Sequence, residues 1–234
     1  MTANNTLTTR WRFAFDVVVT LVAMVVAVWL FNTGALRIGG ASAATSSLPS
    51  APFELGRAPS EGVDTAPVVI VEFSDFQCPY CSQFSSSILP TLRRDYLAKG
   101  TAQLYFRHLP LTALHPHARG AAISADCAHQ QGRFWPAHDL IFSDPAMLAS
   151  ASQAALATGA GLEPHAFQEC LGRSTHEQID QDAALADRLK VTGTPTFMIG
   201  WRVPNNSVKV VEVLRGAQPL SKFEAAITHA MSTR

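Results

Sequence analysis

An α/β domain with a mixed sheet, carried behind one N-terminal transmembrane helix, is the fold class that this sequence predicts. Three observations point to it. Residues 17–36 form an uncharged run of twenty. A short run of β-branched residues at 67–73 leads through a loop straight into an amphipathic helix. After a long helical stretch the chain returns to strand-like runs at 196–199 and 208–214 and closes with a helix. Strand, helix, strand, helical block, two strands and helix together give a β-α-β unit, a hairpin and a closing helix.

The N-terminal run, VVVTLVAMVVAVWLFNTGAL, has about the length that crosses a bilayer core at 1.5 Å per residue. Arg10 and Arg12 precede it and a single Arg37 follows. The charge bias keeps 1–12 in the cytoplasm, makes 13–36 the membrane span, and sends the rest across. A cleaved signal peptide is the alternative, because Ala41, Ser42 and Ala43 have the small-x-small form of a cleavage site. Both readings place the folded part outside the cytoplasm. Residues 37–62 are rich in Ala, Ser, Pro and Gly and read as a flexible linker, with Phe53 and Leu55 docking loosely at most. The folded domain is expected over 63–234.

Within it, PVVIVEF at 67–73 suits a strand buried on both faces. Residues 74–77 form a loop to Cys78. Phe84, Ile88, Leu92 and Tyr96 then recur every four residues, which marks an amphipathic helix. Pro79 suits its first turn, and Pro90 is expected to kink it. AQLYFR at 102–107 is a second strand. Residues 116–190 are mostly helical, and Ser174 with Glu177 resembles a capping box before a helix ending near Lys190. The last helix spans roughly 219–231.

Composition excludes some functions. Eighteen Lys and Arg balance eighteen Asp and Glu, and no run of like charge breaks the balance, so nucleic acid is not an expected partner. Of only four cysteines, two lie three positions apart in CPYC. This pair sits at a strand–loop–helix junction, with Cys78 at the helix N-terminus. Unpaired N–H groups and the positive end of the helix dipole favour an anion there, so an exposed Cys78 thiolate is the expected nucleophile. Cys81, one turn on and more buried, is the resolving thiol. Zinc needs two further ligands, and Cys127 and Cys170 form no second close pair. An inert structural disulfide is the other alternative.

The motifs VVIVEFSDFQCPYC, FRHLPL (106–111) and GTPTFMIG (193–200), in this order, resemble the thioredoxin superfamily, specifically the DsbA-like thiol-disulfide oxidoreductases of bacterial envelopes. The match covers about 66–231. It implies a thioredoxin fold with an inserted helical subdomain over about 116–190. It also implies a cis bond before Pro195, which packs against the cysteine pair and leaves the Thr194 backbone free to pair with a substrate peptide. Glu72 falls where relatives carry a buried acid that helps move the proton of the buried thiol; a carboxylate reaching solvent is the alternative. Pro79 and Tyr80 complete the motif. Tyr80 stands where strong oxidants carry histidine, so it adds no positive charge beside Cys78, and Thr194 stands where some carry valine. Cys127 and Cys170 both look inward, and in an oxidising compartment such a pair is expected to be joined, as in several relatives; two separate buried thiols remain the alternative. His108, His115 and His117 flank the turn after the second strand and are taken as solvated loop histidines, with lining of the substrate groove as the alternative; none is expected to be catalytic.

The expected protein is thus a single-pass membrane protein of the bacterial cell envelope, anchored in the cytoplasmic membrane with its catalytic domain on the periplasmic side. It would oxidise reduced exported proteins and be reoxidised by a membrane quinone-linked thiol oxidase, the latter implied by the family. No metal and no organic cofactor is expected. A reductase or isomerase would share the chemistry. A non-catalytic thioredoxin-like binding module is the different class.

Overall fold

A computed structural model of the chain describes residues 20–26, 28, 29 and 48–234. The chain divides into two units, 1–46 and 47–234. In the first, the described residues are helical. The expected segment 1–12, most of the span 13–36, the cleavage site at 41–43 and the start of the linker lie outside the described residues. Among the described residues, no helix is long and apolar enough to cross a membrane.

The second unit is built on a six-stranded sheet. Its strands are β1 (Phe53–Glu54), β2 (Ser60–Gly62), β3 (Val68–Ser74), β4 (Ala102–His108), β5 (Thr196–Val203) and β6 (Ser207–Arg215), in the order β1-β6-β5-β3-β4-β2. β3 and β4 are parallel, and the remaining neighbours are antiparallel. Every residue of β3 and β4 is buried, as in central strands with both faces of the sheet covered, although β4 carries Gln103, Arg107 and His108. At Gly200 a bulge brings the Lys209 carbonyl so close that a Cβ would overlap it.

Between β3 and β4, α1 (Pro79–Ser87) ends at Ile88 and resumes as α2 (Leu89–Leu92), which widens into a π turn at Arg93–Leu97. Pro90 has no N–H to donate back to Ser86, so the break falls where the proline predicts it. The insertion comprises α3 (Ala118–His129), α4 (Phe134–Ser143), two 3₁₀ turns, α5 (Gln153–Ala160), α6 (Pro164–Leu171) and α7 (Glu177–Arg188). The expected capping box does not form: His176 is the N-cap of α7 and gives no side-chain bond. α8 (Leu220–Ser232) closes the domain. Phe223 of α8 meets Phe84 of α1 and Phe197 of β5, with ring centroids 5.4 and 4.8 Å away, so the two helices share one face of the sheet.

The flexible-linker expectation for 37–62 fails over its last ten residues. β1 pairs with β6 at one edge of the sheet and β2 with β4 at the other, so the segment between them crosses a sheet face. Leu55 is fully buried rather than loosely docked, and Phe53 and Ala58 are buried with it. The Arg107 guanidinium donates to the carbonyls of Glu54 and Leu55. Strands of two and three residues carry too little period to be read from sequence. Tertiary hydrogen bonds hold them instead.

Candidate redox site

The site starts at the end of β3. Asp75 is almost wholly buried and works as a hub. Its Oδ1 accepts from the Gln77 N–H at 2.8 Å, and its Oδ2 accepts from the Leu111 N–H and meets His115 Nδ1, each also at 2.8 Å. The Cys78 N–H donates to the Asp75 carbonyl at 3.0 Å. Gln77 Oε1 accepts from the His117 N–H at 2.7 Å. Two side chains of this turn thereby clasp the loop that follows β4. Sequence reasoning passed over Asp75, although Asp-Phe-Gln could have been read as an Asx turn.

Cys78 is the N-cap residue of α1, in extended backbone, and Pro79 opens the helix. The cap makes no side-chain bond in the usual sense; its sulfur faces the first-turn N–H groups of Tyr80 and Cys81. Both thiols are free. Contrary to the expected open thiolate, Cys78 is only 4% exposed, while Tyr80 is 60% exposed. What covers Cys78 is the turn before β5. The bond between Thr194 and Pro195 is cis, and the Cys78 thiol donates to the Thr194 carbonyl at 3.5 Å. Gly216 N–H to Pro195 O (2.8 Å) and Thr196 Oγ1 to Gly193 O (2.7 Å) fix this wall.

The electrostatics separate the two sulfurs. A hydrogen bond from the Cys81 thiol holds Cys78 down at about 5, against the opposing effect of burial. The N–H groups of Cys81 and Tyr80 add to this, as does the Thr194 hydroxyl, which has no hydrogen-bond partner while Cys78 is a thiol and is free to serve the thiolate. Cys81 is pushed well above the ordinary thiol range, first by burial and then by the neighbouring Cys78 and Glu72 charges. A stable thiolate and a thiol that keeps its proton sit one helical turn apart.

Glu72 does not reach solvent. It is fully buried on β3, and neither carboxylate oxygen has a hydrogen-bond partner. Burial raises it to about 8, offset only in part by Ser74 and the Arg93 charge. The loop histidines also depart from the expected solvated state: His108 is buried and His115 is bound to Asp75. Cys127 on α3 and Cys170 on α6, 43 positions apart, are joined in a buried disulfide. A nitrogen of His176 lies within 4.8 Å of both sulfurs, but bonded to each other they offer a metal no thiolate.

A family model described as Thioredoxin matches residues 56–215, more than half of the chain. The chain is 39% identical over 153 residues to the Na(+)/H(+) antiporter NhaA 3 of Salinispora tropica, covering 64% of this chain but only 23% of that protein. It is 29% identical over 157 residues to a probable disulfide bond formation protein D of Bacillus cereus, covering 62% of this chain and 71% of that one. The crystal structure of oxidised BdbD from Bacillus subtilis superposes with a TM-score of 0.66 at 23% identity, over 80% of this chain and 99% of that one. The chain thus spans about a quarter of the length of the antiporter relative. With the sheet order, the cysteine pair at the start of α1 and the cis-proline wall already in place, the matched family model leads to one assignment: the chain belongs to the thioredoxin family.

Proposed function

We propose that this protein is a thiol-disulfide oxidoreductase that introduces disulfides into exported proteins on the outer side of the bacterial cytoplasmic membrane. One observation carries the reading: Cys78 is held down at about 5 while Cys81, one turn on, is pushed up by burial. A low leaving-group pKa at Cys78 stabilises the reduced form, and anything that does so makes the disulfide a stronger oxidant. The hydrogen bonds from Cys81, Thr194 and the helix N-terminus supply what the absent histidine at Tyr80 does not.

The cycle starts from the disulfide between Cys78 and Cys81. A substrate thiolate attacks Cys78 Sγ, the Cys78–Cys81 bond breaks, and Cys81 leaves as a thiolate. Its high proton affinity draws a proton from Glu72, which burial keeps protonated at neutral pH. A second substrate thiolate then attacks the substrate sulfur of the mixed disulfide. Cys78 departs as its stable thiolate, so the substrate loses two electrons and the enzyme gains two. A membrane quinone-linked thiol oxidase reverses the enzyme half: Cys78 attacks the partner's disulfide, Cys81 gives its proton back to Glu72, and Cys81 closes onto Cys78. The Thr194 backbone, beside the cis-proline, pairs with the extended substrate. Pro79 sets the first helical turn and Tyr80 faces outward above the pair. The joined Cys127 and Cys170 brace the insertion without taking part.

The N-terminal segment tethers the domain. Fractionation checks this, and a mature N-terminus near Ala44 would replace the anchor with a signal peptide. The function is tested by trapping thiols in intact cells and measuring the reduction potential of the pair. A mostly oxidised pair is expected, and a mostly reduced one would overturn the oxidase reading.

A further inference from the structure

Beneath Cys81 the domain carries buried polar groups with no hydrogen-bond partner: both oxygens of Glu72, the Ser74 hydroxyl, both nitrogens of His108 and Nε2 of His138. Among the described residues, the other such groups are Thr194 Oγ1 beside Cys78, and Arg107 Nε. Folded proteins rarely leave such groups unsatisfied, because each forfeits its hydration, so their concentration at one place needs a cause.

Strand register brings them together. β3 and β4 run in parallel with Glu72 opposite Phe106 and Ser74 opposite His108, and alternation along each strand turns these four side chains to the same face. Cys81 feels both Glu72 and Ser74. His138, on α4, continues the row. The imidazoles of His108 and His138 border the same three rings, at 5.2 and 5.5 Å from Phe106, 6.2 and 5.8 Å from Phe76, and 6.0 and 5.8 Å from Phe134. His138 faces inward with Nε2, while its Nδ1 meets Asp139 Oδ1 at 2.8 Å. Asp139 is 47% exposed and is also held by Arg93 at 2.8 and 3.0 Å. The row therefore begins at the resolving thiol and ends at solvent.

We propose that Glu72, Ser74, His108 and His138, linked by internal water, form a proton route between Cys81 and the surface carboxylate of Asp139. The inference rests on the exchange chemistry proposed above and extends it. On reoxidation, the route first carries the Glu72 proton out, and the emptied carboxylate takes the proton of Cys81 and ends protonated, as it began. Each neutral imidazole takes a proton on one nitrogen and releases one from the other, so neither has to stay cationic. That requirement fits the site: burial holds His108 down at about 3 and His138 below its ordinary value, with His129, Arg107 and Arg93 adding like charge and Asp139 opposing it at His138. When substrate is oxidised the flow reverses. Both histidines act through Glu72 and are positioning residues.

The test is a single-turnover reaction of the reduced protein with oxidised glutathione, quenched in acid so that the mixed disulfide on Cys78 and its resolution by Cys81 are timed separately. In His108→Phe and His138→Phe, formation of the mixed disulfide is expected to stay within about twofold of the parent, while resolution slows by about 100-fold, the lower end of the scale for a lost proton-transfer group. Glu72→Gln gives the reference slowing for the same step. Histidines that merely fill space would give faster-melting or slower-melting variants with an unchanged resolution rate, and that result overturns the route. If His138→Phe does not fold, His138→Gln keeps a polar side chain that cannot pass a proton through, and carries the same expectation. A parent that forms no mixed disulfide overturns the exchange reading and the route with it. A parent that exchanges, with resolution indifferent to both histidines, overturns the route alone.

Discussion

The domain holds two cysteine pairs that place the same side chain in opposite roles. Cys78 and Cys81 are three positions apart, both free, and set where a helix begins. Cys127 and Cys170 are 43 positions apart, bonded, and enclosed between two helices of the insertion. Burial does not distinguish the pairs, since all four residues are at most 4% exposed. The difference lies in what each sulfur faces. The helix-start pair is polarised by first-turn N–H groups, by Thr194 and by a carboxyl on the strand beneath, so one thiol ionises and the other does not. The inserted pair shares the same apolar cluster and has a nitrogen of His176 within 4.8 Å, but its sulfurs are bonded to each other and have no proton to lose. Chemistry follows the local field, and stapling follows the length of chain enclosed.

That contrast makes predictions in descending order of effect. Cys78→Ser removes the only readily ionised thiol of the helix-start pair and should reduce exchange to the uncatalysed level in a dithiol oxidation assay, leaving the melting temperature near that of the reduced parent. Cys127→Ala with Cys170→Ala should do the reverse. Opening a loop of 43 residues costs about 4 kcal/mol of stability in the chain-entropy model. Denaturant titration reads that loss, while exchange well below the unfolding transition persists. Activity lost from the double variant in its folded state would erase the division of roles.

The next effect is a pH dependence. Glu72 is raised in the fold from 4.5 to about 8, so the folded state holds its proton longer and loses stability as pH rises across that window. Cys78 is lowered from 9.0 to about 5, so it contributes stability that grows as pH rises from about 5 toward 9. The two oppose each other over the same range. The reduced parent should therefore be nearly flat in stability between pH 5 and 8; Glu72→Gln should uncover a gain with rising pH, on the order of a few kcal/mol, and Cys78→Ser should uncover a loss of similar size. Urea unfolding at several pH values checks both signs.

Smaller still, Thr194→Val removes one hydroxyl from the thiolate. The Cys78 midpoint, followed by thiolate ultraviolet absorbance, should rise by up to about one unit, the worth of one hydrogen bond to a charged group. Tyr80→His should move it the other way by less, because the side chain points to solvent and its charge is screened.

Much of this was legible beforehand. β3, α1 and the break near Pro90 follow from a run of β-branched residues, a four-residue period and a proline, all of which act within a few neighbours. CPYC, Gly193 to Pro195 and the inward faces of Cys127 and Cys170 were legible for the same reason, helped by the family resemblance. The residues that escaped are those whose role depends on distant partners. Leu55 and Phe53 sit in a polar, proline-rich stretch and are buried only because β6 and β4 offer free edges. His108 and His115 looked like neighbours in one loop, yet one belongs to β4 and is buried while the other closes on Asp75. His138 gave no signal at all.

The sequence by itself determined that a strand feeds a cysteine pair at the start of a helix, because those signals are short-range: hydrophobic period, proline geometry and helix-end polarity. Only the tertiary structure decided how covered Cys78 is, what faces Cys81 and which polar groups lie beneath it. Those depend on strand register and on the cis turn at Pro195, which join residues as far apart as Glu72, His138 and Thr194. A pKa is set by everything within a few ångströms, and that neighbourhood exists only once the chain has closed.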